Sequence, residues 1–177
     1  MIHQNQEVAM DIIQTSLEDF SIRKAERGDI PTILSLIKDL AQYEDLLKDV
    51  KATEEILEKS LFEEKTAHMY LPLYKGKAIG YFIFFYNFST FEGRPGLYLE
   101  DLYIDPQYRG RGYGRKCLSF MAKHALEKDC RRFEWTCLKT NTPSYELYKS
   151  LGADDHTEWV IFRLEGQGLK AMGTPDL

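Results

Sequence analysis

The junction "LEDLYIDPQYRGRGYGRKCLSFMAKHAL" constrains this chain more than any other stretch. A strand-like run leads through Gly110, Gly112 and Gly114 directly into an amphipathic helical pattern. Such a junction leaves the first backbone N–H groups of the helix without intrahelical partners. Glycines there let an anion approach, and the helix dipole favours it. Arg109, Arg111 and Arg115 add positive charge. The segment therefore reads as an anion cradle, and the plainer alternative is a strand-to-helix turn with solvated arginines.

The well-known phosphate signatures do not fit. A P-loop needs four residues between its glycines and then Gly-Lys-Ser/Thr, and no such run occurs. A dinucleotide fingerprint needs G-x-G-x-x-G, whereas these glycines are spaced two apart. An arginine-glycine arm for RNA would lie in low-complexity sequence, not between a strand and a helix. With a formal net charge of -5, no nucleic-acid partner is expected, and a cationic substrate is compatible with that charge without being decided by it.

The 177 residues, 44% hydrophobic and 29% charged, suit one globular domain, with 1–19 as an N-terminal extension, 20–168 as the folded domain and 169–177 as a loose tail. The extension offers a short helix through Val8, Met10, Ile12 and Ile13. From Phe20 the patterns alternate. "FSIRKA" is a strand, and a helix follows from Asp29 with Ile30, Ile33, Ile37 and Leu40 on one face. "ATEEILEKSLF" is a second helix. "AHMYLPLYKGKAIGYFIFFYN" is two strands about a "KG" turn, "FSTFEGRPG" a loop and "LYLEDLYI" a strand. The helix after the glycines carries Leu118, Met121, Ala122 and Ala125 on one stripe. "RRFEWTCLK" is a strand, "TPSYELYKSLG" a short helix capped by Thr142 and ended by Gly152, and "EWVIFRLEG" a last strand. This order gives a mixed α/β fold, a sheet with helices on its faces.

Cys117, Cys130 and Cys137 match no zinc spacing and read as reduced, mostly packed thiols. His3, His68, His124 and His156 show no ligand spacing, His124 reads as solvated, and no metal is assigned. No run of apolar residues is long enough to span a membrane, and the first residues lack the features of a secretory signal. A cytoplasmic protein is expected.

"RGRGYG" fits the arginine/glutamine-x-x-glycine-x-glycine/alanine signature of the GNAT acetyltransferase superfamily, through Arg109, Gly112 and Gly114. "YLEDLYIDPQYRGRGYG", "NTPSYELYKSLGA" and "EWVIFRLEG" follow one another at that family's spacing. From about Phe20 to Gly168 the chain resembles this superfamily, most closely its diamine (spermidine/spermine) and thialysine acetyltransferase group. The resemblance implies a GNAT fold, a central, mostly antiparallel sheet that splays between "LEDLYI" and "RRFEWTCL" and is flanked by helices. It also implies acetyl transfer from acetyl-CoA to a primary amine of a small molecule, without a metal, by a homodimer.

By the same resemblance the backbone of Leu102, Tyr103 and Ile104 pairs with the pantetheine arm. Arg109, Gly110, Arg111, Gly112, Tyr113, Gly114 and Arg115 hold the pyrophosphate, and Asn141 and Ser144 touch the cofactor further along. Glu100 is implied as general base, acting directly or through water, and Tyr148 as the acid for the departing thiolate. Tyr145, one turn earlier, reads as packing. Asp101 joins the amine site, although a regular strand would turn it away from Glu100 unless a bulge intervenes.

The chain departs from the diamine enzymes at Ser89, where they carry an acid, and at Phe91, where they carry tryptophan. The serine form resembles the thialysine-type enzymes, and Glu92 offers a replacement carboxylate. Glu158 and Trp159 stand near the family's amine-lining pair, with one residue fewer between them. Protein or peptide lysine acetylation and a non-catalytic acyl-CoA sensor are the alternative functions.

Overall fold

The computed structural model falls into two compact units, Met1–Thr136 and Cys137–Leu177, of which residues 12–174 are described. The first unit is a seven-stranded sheet: β1 (Ile12–Gln14), β2 (Phe20–Lys24), β3 (His68–Tyr74), β4 (Lys77–Ala78), β5 (Gly80–Ser89), β6 (Arg94–Ile104) and β7 (Phe133–Trp135). Strand order is β1-β2-β3-β5-β6-β7, with the two-residue β4 on β3. All pairs are antiparallel except β6 with β7, which are parallel. A parallel pair requires a crossover, here the helix α3 (Tyr113–Glu127).

Helix α1 (Ile30–Tyr43) covers one face of the sheet. Its Ile33 and Leu36, with Leu61, pack on Met69, Leu71, Leu73, Tyr81 and Tyr103. The chain enters α1 through a short 3-10 turn, Arg27–Asp29, clamped by a bidentate pair of Arg23 and Asp29 at 2.6 Å. It leaves α1 at Glu44, where Asp45 takes a positive φ of 60° and Leu46 N–H bonds Ala41 O at 2.7 Å. The second helical segment, α2 (Glu54–Glu58), is capped by Thr53 and widens into a π turn, Lys59–Glu63.

The other face carries α3. Phe120 lies against Tyr70 and Phe82, whose own rings stack at 5.3 Å. Cys117, Leu118, Met121 and Ala125 are its buried stripe, while Ala122 points outward. His124 is half-buried rather than solvated: its Nε2 lies 2.7 Å from the Tyr86 hydroxyl and its ring 5.3 Å from that of Phe84. All three cysteines are free, with Cys117 and Cys130 buried.

Several boundaries differ from the sequence patterns. Ile12 and Ile13 form a strand rather than a helix, because β2 offers them an edge to pair with; Val8 and Met10 lie outside the described residues. The "KG" turn forms as expected, Lys75 and Gly76 both having positive φ. The expected loop "FSTFEGRPG" is mostly strand, since β5 and β6 stay paired out to Ser89 opposite Arg94 and leave only Thr90 to Gly93 as the turn.

In the second unit, α4 (Thr142–Ser150) is capped by Asn141, not Thr142: Asn141 Oδ1 accepts Ser144 N–H at 3.4 Å. Gly152, with φ 83°, ends the helix. The expected last strand over 158–166 is absent. Its sequence suits a strand, but the second unit offers no strand to pair with among its described residues. Trp159, Val160, Ile161 and Phe162 are exposed instead, and Gly166–Met172 forms a helix, α5, where a loose tail was expected.

Candidate functional site

The long strand β6 carries most of the site in the first unit. Its pairing with β7 covers only Leu97 to Leu99, opposite Phe133 to Trp135. Beyond Leu99 the edge of β6 that faced β7 has no neighbouring strand among the described residues, so the sheet opens along Leu102, Tyr103 and Ile104. Backbone donors and acceptors on such an edge suit an extended ligand that carries amides. Gly80 lets β5 close against this end of β6, because a Cβ there would lie 2.0 Å from Tyr103 O.

The opening coincides with a β-bulge. The register passes from Phe84 opposite Leu99 to Ile83 opposite Asp101, which makes Glu100 the extra residue. Leu99 shares the α3 face with Phe84, whereas Asp101 shares the α1 face with Ile83. Two positions on a regular strand would share a face. The bulge thus breaks the alternation that would have separated Glu100 from Asp101.

Asp101 Oδ2 accepts a hydrogen bond from the Tyr81 hydroxyl at 3.1 Å. Burial pushes the Asp101 carboxyl above its ordinary range, against the opposing pull of that bond. Burial, and then the charge of Asp101, push the Tyr81 phenol far up, so it stays a donor. Glu44, at the end of α1, is likewise raised by burial and then by the charge of Asp101. Two part-buried carboxyls with raised affinity for protons, one of them raised in part by the other's charge, form a place where a cation is welcome. Beyond them lies an open recess of about 380 Å³ lined by Asp39, Gln42, Tyr43, Tyr103, Asp105 and Pro106. Sequence reading missed Glu44, Tyr81 and Asp39, because only the packing of α1 on the sheet brings Glu44 and Asp39 to β6, and only the β5–β6 register brings Tyr81 there.

The glycine turn into α3 forms as its sequence suggests. Gly110 and Gly112 have φ of 75° and 83°, which side chains rarely adopt, and Gly112 is the N-cap of α3. Gly114 differs: it lies in the first turn of α3 without a positive φ, and a Cβ there would meet nothing within 4 Å. Neither conformation nor packing asks for glycine at that position. Close approach of a ligand would, and the N–H groups of Tyr113, Gly114 and Arg115 belong to the helix start. An anionic pyrophosphate fits this donor set.

The side chains around the cradle are engaged elsewhere. Tyr113 is buried and stacks on Phe20 at 4.3 Å, which leaves its backbone for a ligand. Arg109 Nε donates to Ile104 O at 2.8 Å, and Arg111 lies over the rings of Tyr74 and Tyr108.

The hairpin residues stand apart from the acidic site. Ser89 is buried and accepts the Glu92 N–H at 3.3 Å, so it braces the turn. Phe91 is fully exposed at the tip. Glu100 lies six residue steps along β6 from Arg94, about 20 Å at 3.3 Å per step. Within one chain, Ser89, Phe91 and Glu92 therefore do not reach Asp101.

In the second unit, the Tyr145 hydroxyl donates to Asp155 at 2.8 Å, and Lys149 donates to the same carboxylate at 2.8 Å. Tyr148 is half-buried on the same helix, its phenol pushed up by burial and by Cys137, with Ser144 as a hydrogen-bond partner pulling the other way. Glu158 and Trp159 are exposed.

The sequence profile described as acetyltransferase (GNAT) family matches residues 32–153. Over 163 residues the chain is 38% identical to thialysine N-epsilon-acetyltransferase of Bos taurus, covering 85% of this chain and 95% of the bovine protein. The Caenorhabditis elegans protein of the same name is 30% identical over 156 residues, covering 86% and 96%. Among solved structures, an integron cassette protein from the mobile metagenome of V. cholerae superposes with a TM-score of 0.74 at 24% identity, covering 87% of this chain and 97% of that one. An aminoglycoside acetyltransferase from an uncultured soil metagenomic sample gives 0.70 at 18%, covering 83% and 97%, a likeness of fold alone. The chain belongs to the GNAT acetyltransferase family and is an N-acetyltransferase, an enzyme class that takes its acetyl group from acetyl-CoA.

Proposed function

We propose that this enzyme acetylates the primary amine of a small molecule, a thialysine- or lysine-like amine or a polyamine. The observation that carries the reading is the half-buried Asp101, bonded to Tyr81, beside Glu44 and directly after the bulge residue Glu100. The relatives named thialysine N-epsilon-acetyltransferase support the choice of amine.

An alkyl ammonium with a pKa of about 10.4 has no lone pair at neutral pH, so one proton must leave before attack. Glu44 and Asp101 attract the ammonium, and Glu100 takes its proton, directly or through water. Acetyl-CoA, when bound, supplies the thioester that the freed amine attacks. The donors at 110–115 hold its pyrophosphate, the open edge at Leu102 to Ile104 pairs with its pantetheine amides, and Asn141 and Ser144 contact it beyond. Tyr148 donates a proton to the departing sulfur. Cys117 takes no part as a nucleophile, because burial pushes its thiol up and away from the thiolate. Glu100 and Tyr148 together favour an enzyme over an acyl-CoA sensor, which would need the glycines but neither proton-handling residue.

The working form is a cytoplasmic homodimer, a reading supported by the resemblance and by the exposed apolar run 159–162, which a second copy would cover. In that dimer Ser89, Phe91, Glu92, Glu158 and Trp159 line the amine site. Among the described residues no helix is long and apolar enough to cross a membrane. Glu100→Gln and Tyr148→Phe should each lower kcat at least tenfold while leaving the Kd for CoA within twofold. Wild-type turnover across pH 7 to 9 in either variant would remove that residue from the mechanism.

A further inference from the structure

Arg109 opens the cradle sequence, yet its side chain turns away from the glycines. Its Nε is bound to Ile104 O at 2.8 Å, and its guanidinium carbon lies 4.3 Å from the centroid of the Tyr43 ring and 5.7 Å from that of Tyr103. Tyr43 is the last residue of α1, and Glu44 follows it. Tyr103 lies two residues beyond Asp101 on the α1 face, its ring 6.3 Å from that of Tyr81, the residue that bonds Asp101. One planar cation thus fastens the end of α1 to the strand that carries Asp101.

The geometry points to Arg109 as a positioning residue for the acceptor amine: stacked on Tyr43, it holds the last turn of α1, and with it Glu44, beside Asp101. This rests on the amine-site reading given above, and it assigns Arg109 a role other than a phosphate contact.

Arginine suits the task because its flat guanidinium stacks on an aromatic face while its fixed Nε–H bonds a carbonyl. Lysine cannot do both. Helix α1 also needs a tether there, since Tyr43 is 51% exposed and Asp45 has already turned the chain out of the helix. The raised affinity of Glu44 for protons agrees with a carboxyl kept close to Asp101.

The test compares Arg109→Lys, Tyr43→Leu, Tyr43→Phe and the double variant Arg109→Lys/Tyr43→Leu. Initial rates would be measured with thialysine and acetyl-CoA, each varied in turn. Arg109→Lys and Tyr43→Leu should each raise the KM for thialysine about tenfold, with kcat and the KM for acetyl-CoA within twofold of wild type. The double variant should be no worse than the poorer single one, and Tyr43→Phe should behave as wild type. An unchanged amine KM, or a rise confined to the acetyl-CoA KM in Arg109→Lys, would overturn the inference and leave Arg109 a phosphate contact.

A second measurement needs no turnover. Carbon-13 titration of the side-chain carboxyls should show Glu44 returning toward its ordinary value in Tyr43→Leu but not in Tyr43→Phe. If wild type acetylates no amine and this shift still occurs, the function reading fails and the positioning role stands. If Glu44 titrates identically in all variants, the positioning role fails.

Discussion

The Tyr81 hydroxyl donates to Asp101 Oδ2 across 3.1 Å, from the strand β5 to its neighbour β6. The bond holds one carboxylate oxygen in place on the face that α1 covers and leaves the other for a ligand. It also sets a conflict between stability and function, because a half-buried acid is retained where a neutral residue would pack better.

Asp101→Asn should make that conflict visible. Burial raises the Asp101 pKa in the fold. Above its unfolded value the unfolded chain sheds this proton more readily, so the group opposes folding at neutral pH, and the penalty eases as pH falls through the folded value. The amide removes the penalty and still accepts the Tyr81 bond. Thermal melts at pH 7 should show stability unchanged or raised by about 1 kcal/mol, while the KM for the amine rises at least tenfold.

Gly114→Ala separates the cradle from the helix that bears it. A Cβ at this position meets nothing within 4 Å, and alanine favours a helix over glycine by about 1 kcal/mol. The variant should melt at or above the wild-type temperature. Its KM for acetyl-CoA should nonetheless rise about tenfold, since the methyl stands where the pyrophosphate approaches. Unchanged acetyl-CoA kinetics would move the cofactor away from these N–H groups.

The Arg23–Asp29 pair should dominate acid sensitivity at the start of α1. Its side chains are only 14% and 16% exposed, with charged bonds at 2.6 Å. Burial works against the Asp29 charge, but the Arg23 bond and the Glu26 N–H outweigh it and hold the carboxyl below its ordinary value. A depressed carboxyl gives stability that is present above its unfolded value and lost as pH falls through the folded one. Asp29→Asn should cost about 2–3 kcal/mol at pH 7 and progressively less as pH falls, as denaturant unfolding at pH 7 and at a series of lower pH values would reveal.

What the sequence made legible was local. Gly110 and Gly112 must have left-handed backbone wherever they occur in such a turn, and the strand-glycine-helix order needs no partner to be recognised. The Glu100 bulge was not legible, because an extra residue exists only relative to the register of β5. In the sequence Glu44 is one acid among many at a helix end, and only the packing of α1 sets it beside Asp101. The run 158–166 holds the apolar, β-branched and aromatic residues of a strand, but pairing decides whether such a sequence becomes one. Asn141 displaced Thr142 as the cap because either side chain satisfies that role, and only the local fold chooses.

The most direct measurement is CoA-thiol release from acetyl-CoA with thialysine, lysine, spermidine, putrescine and a lysine-containing peptide, each product verified by mass spectrometry. An acidic amine site at Glu44 and Asp101 predicts turnover on at least one of the small amines with a kcat/KM at least a hundredfold above that for the peptide. Preference for the peptide, or no thiol release from any of these while acetyl-CoA binds tightly, would show that the site serves a different acceptor.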